Sequence, residues 1–255
     1  MTLQIQQKLK DIETQYGVTV LYACETGSRA WGFASPDSDY DVRMIYRHDL
    51  DWYLSLSEKK DSIEYMSDDG ELDITGWDIR KSLKLMWKSN GALLERIQSP
   101  VVYSEVPGVQ ALLNAYAQRC FVPVASMYHY LGMARNSFSE VEHRDQVKLK
   151  KLFYALRATL CCKWILEEDS VPPIVFDTMV GKLDFDHSLK GRIRELVQLK
   201  SGKNESYCHP AEAELNAFIS VELDNATKAF DGLKGRKDPR VNLDELFREL
   251  LYIKK

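Results

Sequence analysis

A chain of 255 residues with 45% hydrophobic and 28% charged side chains has the composition of a folded globular protein and the length of two ordinary domains. No stretch approaches the roughly 18 unbroken apolar residues that a membrane span requires. The formal charge of -4 argues against a protein whose main task is to coat nucleic acid, while leaving room for a local basic groove.

The opening residues, MTLQIQQKLKDIETQYG, scatter charge through any apolar pattern, so no secretory signal is read there and a cytoplasmic location is expected. The cysteines, Cys24, Cys120, Cys161, Cys162 and Cys208, are odd in number and lack C-x-x-C spacing, which predicts reduced, buried thiols. Leu3, Ile5, Leu9, Ile12 and Tyr16 recur at helical spacing and Gly17 ends the pattern, which predicts a first helix. Residues 18–24, VTVLYAC, read as a buried strand. From Glu25 onward a Gly27-Ser28 turn, a short helix through Phe33, a polar turn at Ser35-Pro36-Asp37-Ser38 and the alternating run 39–46 predict strand, turn, helix, turn and strand. Segments 61–66 and 71–77 predict an antiparallel hairpin about Ser67-Asp68-Asp69-Gly70, and 79–87 and 92–97 read as helices. Beyond about Pro107 helical periodicity takes over, most clearly over 146–167, then over 189–200, 211–230 and 243–253. The breakers Pro172-Pro173, Gly202 and the stretch 232–239 separate these helices, and the basic run Lys234-Gly235-Arg236-Lys237 reads as a solvated loop.

The chemistry is concentrated between residues 25 and 43. A helix that opens through a Gly-Ser turn after a strand presents free backbone N–H groups and a positive dipole end to an anion. Gly27 would let the backbone approach a phosphate, Ser28 would cap the helix or hydrogen-bond that phosphate, and Arg29 would add charge beside it. Gly-Ser pairs are common at turns, so these residues take their meaning from the carboxylates downstream of them. Asp39 and Asp41 stand two apart in the second predicted strand, so both carboxylates would project from one face. Arg43 would share that face and pair with them when metal is absent. Carboxylates crowded in this way suit hard divalent ions, which would activate an attacking hydroxyl and stabilise a leaving pyrophosphate. The plainer reading is a turn at Asp37-Ser38-Asp39 with Asp41 as an exposed strand residue.

A third carboxylate is expected on a neighbouring strand, where Asp73 sits between Leu72 and Ile74. Glu71 and Asp78 compete for the role, and a solvent-facing Asp73 is the alternative. In the helical half, Lys150, Tyr154 and Arg157 fall on one stripe at i, i+4 and i+7. That stripe would suit a triphosphate and a base, or equally an amphipathic helix with surface charges and a tyrosine bordering the core. The histidines, His48, His129, His143, His187 and His209, lack metal-ligand spacing, no Ser-His-Asp arrangement is readable, and the G-x-x-x-x-G-K-[ST] phosphate loop is missing.

Gly27-Ser28 followed by Asp39-Tyr40-Asp41 resembles the signature of the polymerase β-like nucleotidyltransferase superfamily. Within it, ETGSRAWGFASPDSDYDVRMIY, with LDITGWDIRK, SPVVY and KLKKLFYALRATLCCKWIL downstream, resembles the RNA-repair-pathway DNA polymerase beta family of bacterial and phage nucleotidyltransferases. The likeness spans most of the chain and is densest over residues 25–103. The resemblance implies an α+β enzyme with a small mixed β-sheet nucleotidyltransferase domain over 1–105. It also implies an α-helical domain over 106–255 that closes the nucleotide and acceptor cleft. It implies Gly27 and Ser28 as the phosphate-binding turn, and Asp39, Asp41 and Asp73 as metal ligands and catalytic carboxylates. It favours nucleotide binding for Lys150, Tyr154 and Arg157.

The expected activity is therefore metal-dependent transfer of a nucleoside monophosphate from an NTP, ATP included, to an acceptor. Two Mg²⁺ ions, or Mn²⁺ in their place, would assist; Gly27, Ser28 and Arg29 would bind the β- and γ-phosphates, and Asp73 or a metal-bound hydroxide would take the acceptor proton. The acceptor stays open between an RNA end, a protein side chain and a small molecule. No membrane partner is expected, and the oligomeric state is not legible. Two other classes stay open as well: a non-catalytic nucleotide-binding sensor or regulatory partner, and a helical interaction protein whose N-terminal half is a scaffold. The filled acidic positions weigh against decay of the site.

Overall fold

The computed structural model describes every residue except Lys234, Arg236, Lys237, Pro239 and Lys255, so most of the basic loop expected at 234–237 lies outside the described residues. Helix α1 (Thr2–Tyr16) buries Ile5, Leu9 and Ile12 on one stripe and ends at Gly17, whose φ of 61° is the left-handed conformation common just past a helix C-terminus. Leu3 stands on the opposite side of the helix and is exposed. Strand β1 (Thr19–Glu25) is buried over all but its first residue. Helix α2 (Gly27–Trp31) is a single turn, and β2 (Tyr40–Arg47) follows. Helix α3 (Leu50–Tyr53) precedes the hairpin of β3 (Ser62–Met66) and β4 (Leu72–Asp78), which pair antiparallel as their alternation predicts. Helices α4 (Ile79–Trp87) and α5 (Gly91–Arg96) start where Asp78 and Asn90 cap free N–H groups with their side chains.

Strand β5 (Val102–Glu105) and helices α6 (Val109–Cys120) and α7 (Pro123–Phe138) come next. Residues 146–148, expected as the first turn of the long helix, form instead the short strand β6 (Gln146–Lys148). Val147 is buried between two exposed neighbours there, an alternation too short to be read against a strong helical period. Helix α8 (Leu149–Glu168) then runs with buried residues on every side. Helices α9 (Phe176–Lys182) and α10 (His187–Ser201), strand β7 (Cys208–Pro210), α11 (Ala213–Ala229), a 3₁₀ turn at Phe230–Gly232 and α12 (Leu243–Tyr252) complete the order. Strand β7 pairs antiparallel with β6.

The chain divides into two compact units. The first, Met1–Gly27 with Asp39–Cys120 and Lys237–Lys255, holds a five-stranded mixed sheet in the order β3-β4-β2-β1-β5. Every pairing in it is antiparallel except β2 with β4, which run parallel in register from Tyr40 beside Leu72 to Tyr46 beside Asp78. Ile5, Leu9 and Ile12 of α1 pack with Val20, Val42, Met44 and Ile74 in one core. The buried guanidinium of Arg96 donates to the Met44 carbonyl and lies 3.7 Å from the centre of the Trp77 ring, while its Nε is left without a hydrogen-bond partner among the described residues.

The second unit, Ser28–Ser38 with Phe121–Arg236, is helical. Helix α8 is its centre, because most of its residues are buried and must be covered, and α7 and α11 pack against it. Segment 28–38 joins this core through Phe33, whose ring lies 4.9 Å from Phe153 and 5.3 Å from Phe176. All five cysteines are free thiols; four are buried as expected, and Cys208 is exposed. Among the described residues no helix is long and apolar enough to cross a membrane.

Candidate active site

In the first unit Asp41, near the start of β2, is fastened by its own backbone. The fully buried Glu25, last residue of β1, accepts the Asp41 N–H at 2.7 Å through Oε1, and its Oε2 accepts the Tyr103 hydroxyl. The Asp41 carbonyl accepts both the N–H and the hydroxyl of Thr26, each at 2.9 Å. A buried carboxylate needs such donors, and here one comes from the residue it positions. Gly27 has a φ of 62°, and a Cβ built on it would stand 2.4 Å from Oδ2 of Asp41, so a side chain there would strain the backbone and require the Asp41 carboxylate to move.

Because β2 and β4 are parallel and in register, Asp41 lies beside Asp73. Both carboxylates reach one nitrogen of Arg43: Nη2 is 3.0 Å from Oδ1 of Asp41 and 2.8 Å from Oδ2 of Asp73. Nη1 of the same guanidinium donates to the carbonyls of Val42 and Asp73. The two aspartate side chains are 38% and 28% exposed, so solvent reaches the place where their charges converge. Asp39, expected on the strand with Asp41, is instead the exposed residue just ahead of β2, which opens at Tyr40. Among the described residues no group of three or more His, Cys, Asp or Glu is arranged to hold a metal ion. The chemistry of Asp41 and Asp73 nevertheless suits a divalent cation, since oxygen donors from neighbouring strands converge on a positive group for which the Arg43 nitrogen stands.

The other acidic contenders sit elsewhere. Asp78 lies at the far end of β4, buried, accepting the Arg80 N–H at 2.8 Å and the Tyr53 hydroxyl at 2.6 Å. Burial pushes its carboxyl pKa up, against the hydrogen bonds from Tyr53 and Arg80. Glu71 is exposed and precedes β4.

Ser28, Arg29 and Lys150 belong to the second unit and gather there around Ser38. The Ser38 hydroxyl receives the Ser28 hydroxyl at 3.1 Å and the Ser35 N–H at 3.0 Å, and the Arg29 guanidinium donates to the Ser38 carbonyl at 2.5 Å. Ser38 in turn donates to Oε1 of Glu205 at 2.8 Å, while the Lys150 ammonium binds Oε2. The Asp37 carboxylate accepts the Glu205 N–H at 2.9 Å, and the buried Lys200 ammonium donates to the Ser35 hydroxyl at 2.9 Å. Burial works to raise the Glu205 pKa, but the hydrogen bonds from Lys150 and Ser38 outweigh it and hold the carboxyl below its ordinary range. Burial lowers the Lys200 ammonium.

Further along α8, Tyr154 meets Trp31 edge to face with ring centres 5.1 Å apart, and the buried Arg157 guanidinium lies 4.3 Å over the Trp31 ring. The i, i+4, i+7 stripe is therefore one face turned towards segment 28–38. Tyr154 and Arg157 reach the Trp31 ring there, and Lys150 reaches Glu205, which Ser38 also holds. Helix α2, being one turn long, carries little of the dipole expected to attract a phosphate.

A model of the RNA repair pathway DNA polymerase beta family matches residues 1–249. The chain belongs to this family. Membership indicates a nucleotidyltransferase of polymerase β type. A similar family-length relative, "Uncharacterized protein YcgL" of Bacillus subtilis (strain 168), is 39% identical over 251 residues, covering 98% of this chain and 95% of the relative. Among solved structures, a nucleotidyltransferase-like protein from Exiguobacterium sibiricum shares 13% identity at a TM-score of 0.32, over 89% of this chain and 75% of that one. A likeness of that size carries no weight on fold or chemistry.

In this RNA repair pathway DNA polymerase beta family member, several residues of both clusters escape sequence reading. Glu25 has one local signal, an acid closing an otherwise apolar buried strand. Ser38 reads as a turn residue, and Lys200 and Glu205 lie far from it in sequence, joined to it and to Ser35 only by tertiary structure.

Proposed function

We propose that this protein transfers a nucleoside monophosphate from an NTP to an acceptor hydroxyl and releases pyrophosphate. The observation that carries the reading is the convergence of Asp41 and Asp73 on a single cationic nitrogen, next to a Gly27 whose place against the Asp41 carboxylate a side chain would disturb. Asp41 and Asp73 would hold a divalent cation in place of the Arg43 nitrogen, with Asp39 as a further oxygen donor from the segment ahead of β2. Mg²⁺ or Mn²⁺, two ions in the full arrangement, would neutralise charge on the triphosphate and on the leaving pyrophosphate.

In the second unit Ser28, Arg29 and Lys150 offer a hydroxyl and positive charge to phosphate oxygens, and Tyr154, on the same stripe as the buried Arg157, offers an aromatic face suited to a base. In the reaction the acceptor oxygen bonds to the α-phosphorus. The bond from that phosphorus to the oxygen bridging to the β-phosphate breaks, and pyrophosphate leaves with the electron pair. The hydroxyl proton passes to Asp73. Positioning and charge supply most of the acceleration, as in phosphoryl transfers generally. The family's description makes an RNA end the first acceptor to try, ahead of a protein or small molecule.

One observation favours a second reading, a nucleotide sensor without turnover: Arg43 already fills the place between the two aspartates. Incubation with each of four α-labelled NTPs, Mg²⁺, bulk RNA and cell extract separates the two. Label entering an RNA, protein or small-molecule fraction supports transfer. Tight nucleotide binding with no label moved to any fraction supports the sensor.

A further inference from the structure

We infer that Glu205 is an internal plug in a phosphate-binding cradle of the second unit, and that a polyphosphate chain displaces its carboxylate. Each carboxylate oxygen is held by a donor of the kind that binds phosphate: Oε1 by the Ser38 hydroxyl and Oε2 by the Lys150 ammonium. The Ser28 hydroxyl donates to the Ser38 hydroxyl, which also accepts the Ser35 N–H, and Arg29 at the Ser38 carbonyl and Lys200 at the Ser35 hydroxyl bring two further cations. Lys200 is 2% exposed, and a buried ammonium requires a counter-charge. Glu205 and Asp37 supply that counter-charge. A phosphate chain would answer the same donors with more charge and more acceptor oxygens.

Glu205 is also placed to leave. It lies between α10 and β7, outside helix and strand, and its backbone N–H is pinned by the Asp37 carboxylate. The side chain is thus free to rotate away about its own bonds while the backbone stays in place. The cost of expelling it lowers apparent phosphate affinity, just as any fractionally competent state does. This inference rests on the nucleotide-binding half of the proposed function and is independent of the transfer step.

Calorimetric titration with inorganic tripolyphosphate in EDTA, so that no divalent ion contributes, tests it on the full chain. Glu205→Gln and Glu205→Ala should each bind tripolyphosphate about ten-fold more tightly than wild type, and adding Lys150→Ala to either should abolish the gain. Thermal unfolding run beside each titration identifies any variant that fails to fold, and the isosteric Gln variant decides the matter if the Ala variant does. Unchanged or weaker binding by folded Glu205 variants makes the residue a clamp between loops and overturns the inference while leaving nucleotidyl transfer untouched. Absence of label transfer by wild type would sink the proposed reaction and leave this cradle standing.

Discussion

A Cβ atom on Gly27 would stand 2.4 Å from Oδ2 of Asp41, so the carboxylate that opens the acidic site and the glycine that opens α2 occupy their places at each other's expense. The glycine is required twice, for its φ of 62° and for this contact. Gly27→Ala should destabilise the fold by about 1–2 kcal/mol from the left-handed backbone alone, and the clash should displace Asp41 as well. A lower Tm together with weakened Mg²⁺ binding is expected. Unaltered values of both would show that the close approach has no role.

Arg43 acts as the counter-ion of Asp41 and Asp73. Arg43→Ala should leave two facing carboxylates without a cation and cost about 1–2 kcal/mol, between the values for exposed and buried pairs. Thermal unfolding in EDTA should show the loss, and millimolar Mg²⁺ should raise the Tm of the variant more than that of wild type. Equal responses to Mg²⁺ would mean that the ion does not compete with the guanidinium.

Glu25 acts through Asp41 and touches no substrate in the proposed reaction. Glu25→Gln keeps the shape but removes the charge that holds the Asp41 N–H and the Tyr103 hydroxyl, at a cost of about 1–3 kcal/mol. Its transfer rate should fall while KM for the NTP changes little, and Tyr103→Phe should show a smaller effect in the same direction. A raised KM at unchanged kcat would assign Glu25 to substrate binding instead.

The Glu205 carboxyl lies below its ordinary value near 4.5 in the folded protein, so folding favours its ionised form. The stability it contributes is therefore fully present above that ordinary value and is lost as pH falls through the depressed one. Wild type should be more stable than Glu205→Gln at about pH 6, and the gap in Tm should close progressively as the pH drops below about 4.5. A gap that holds constant through that range would remove the ion pair with Lys150 as its cause.

Local pattern exposed much of this architecture in advance. The apolar run closed by Glu25, the hairpin about Ser67 to Gly70 and the stripe of Ile5, Leu9 and Ile12 each carry their structure in neighbouring residues. What stayed hidden depends on distant parts of the chain. Val147 forms a strand because His209 lies opposite it, a pairing that no window of a dozen residues contains. Asp41 and Asp73 were nameable from their surroundings, but their contact arises from the parallel register of β2 and β4, which alternation alone does not reveal. Asp39 stands just ahead of the strand to which its i, i+2 spacing from Asp41 assigns it. Glu205 meets Ser38 across 167 positions, beyond any local signal.

Asp41 and Asp73 stand at the centre of the proposed nucleotidyl transfer. The most direct test of their role is pyrophosphate release from labelled NTP by wild type and by Asp41→Asn, with Mg²⁺ and an RNA acceptor, circular dichroism confirming that both are folded. Release by wild type is expected, with a loss of at least about a hundred-fold in the folded variant, in line with removal of a group that binds developing charge. Release at equal rates by both proteins would contradict the assignment.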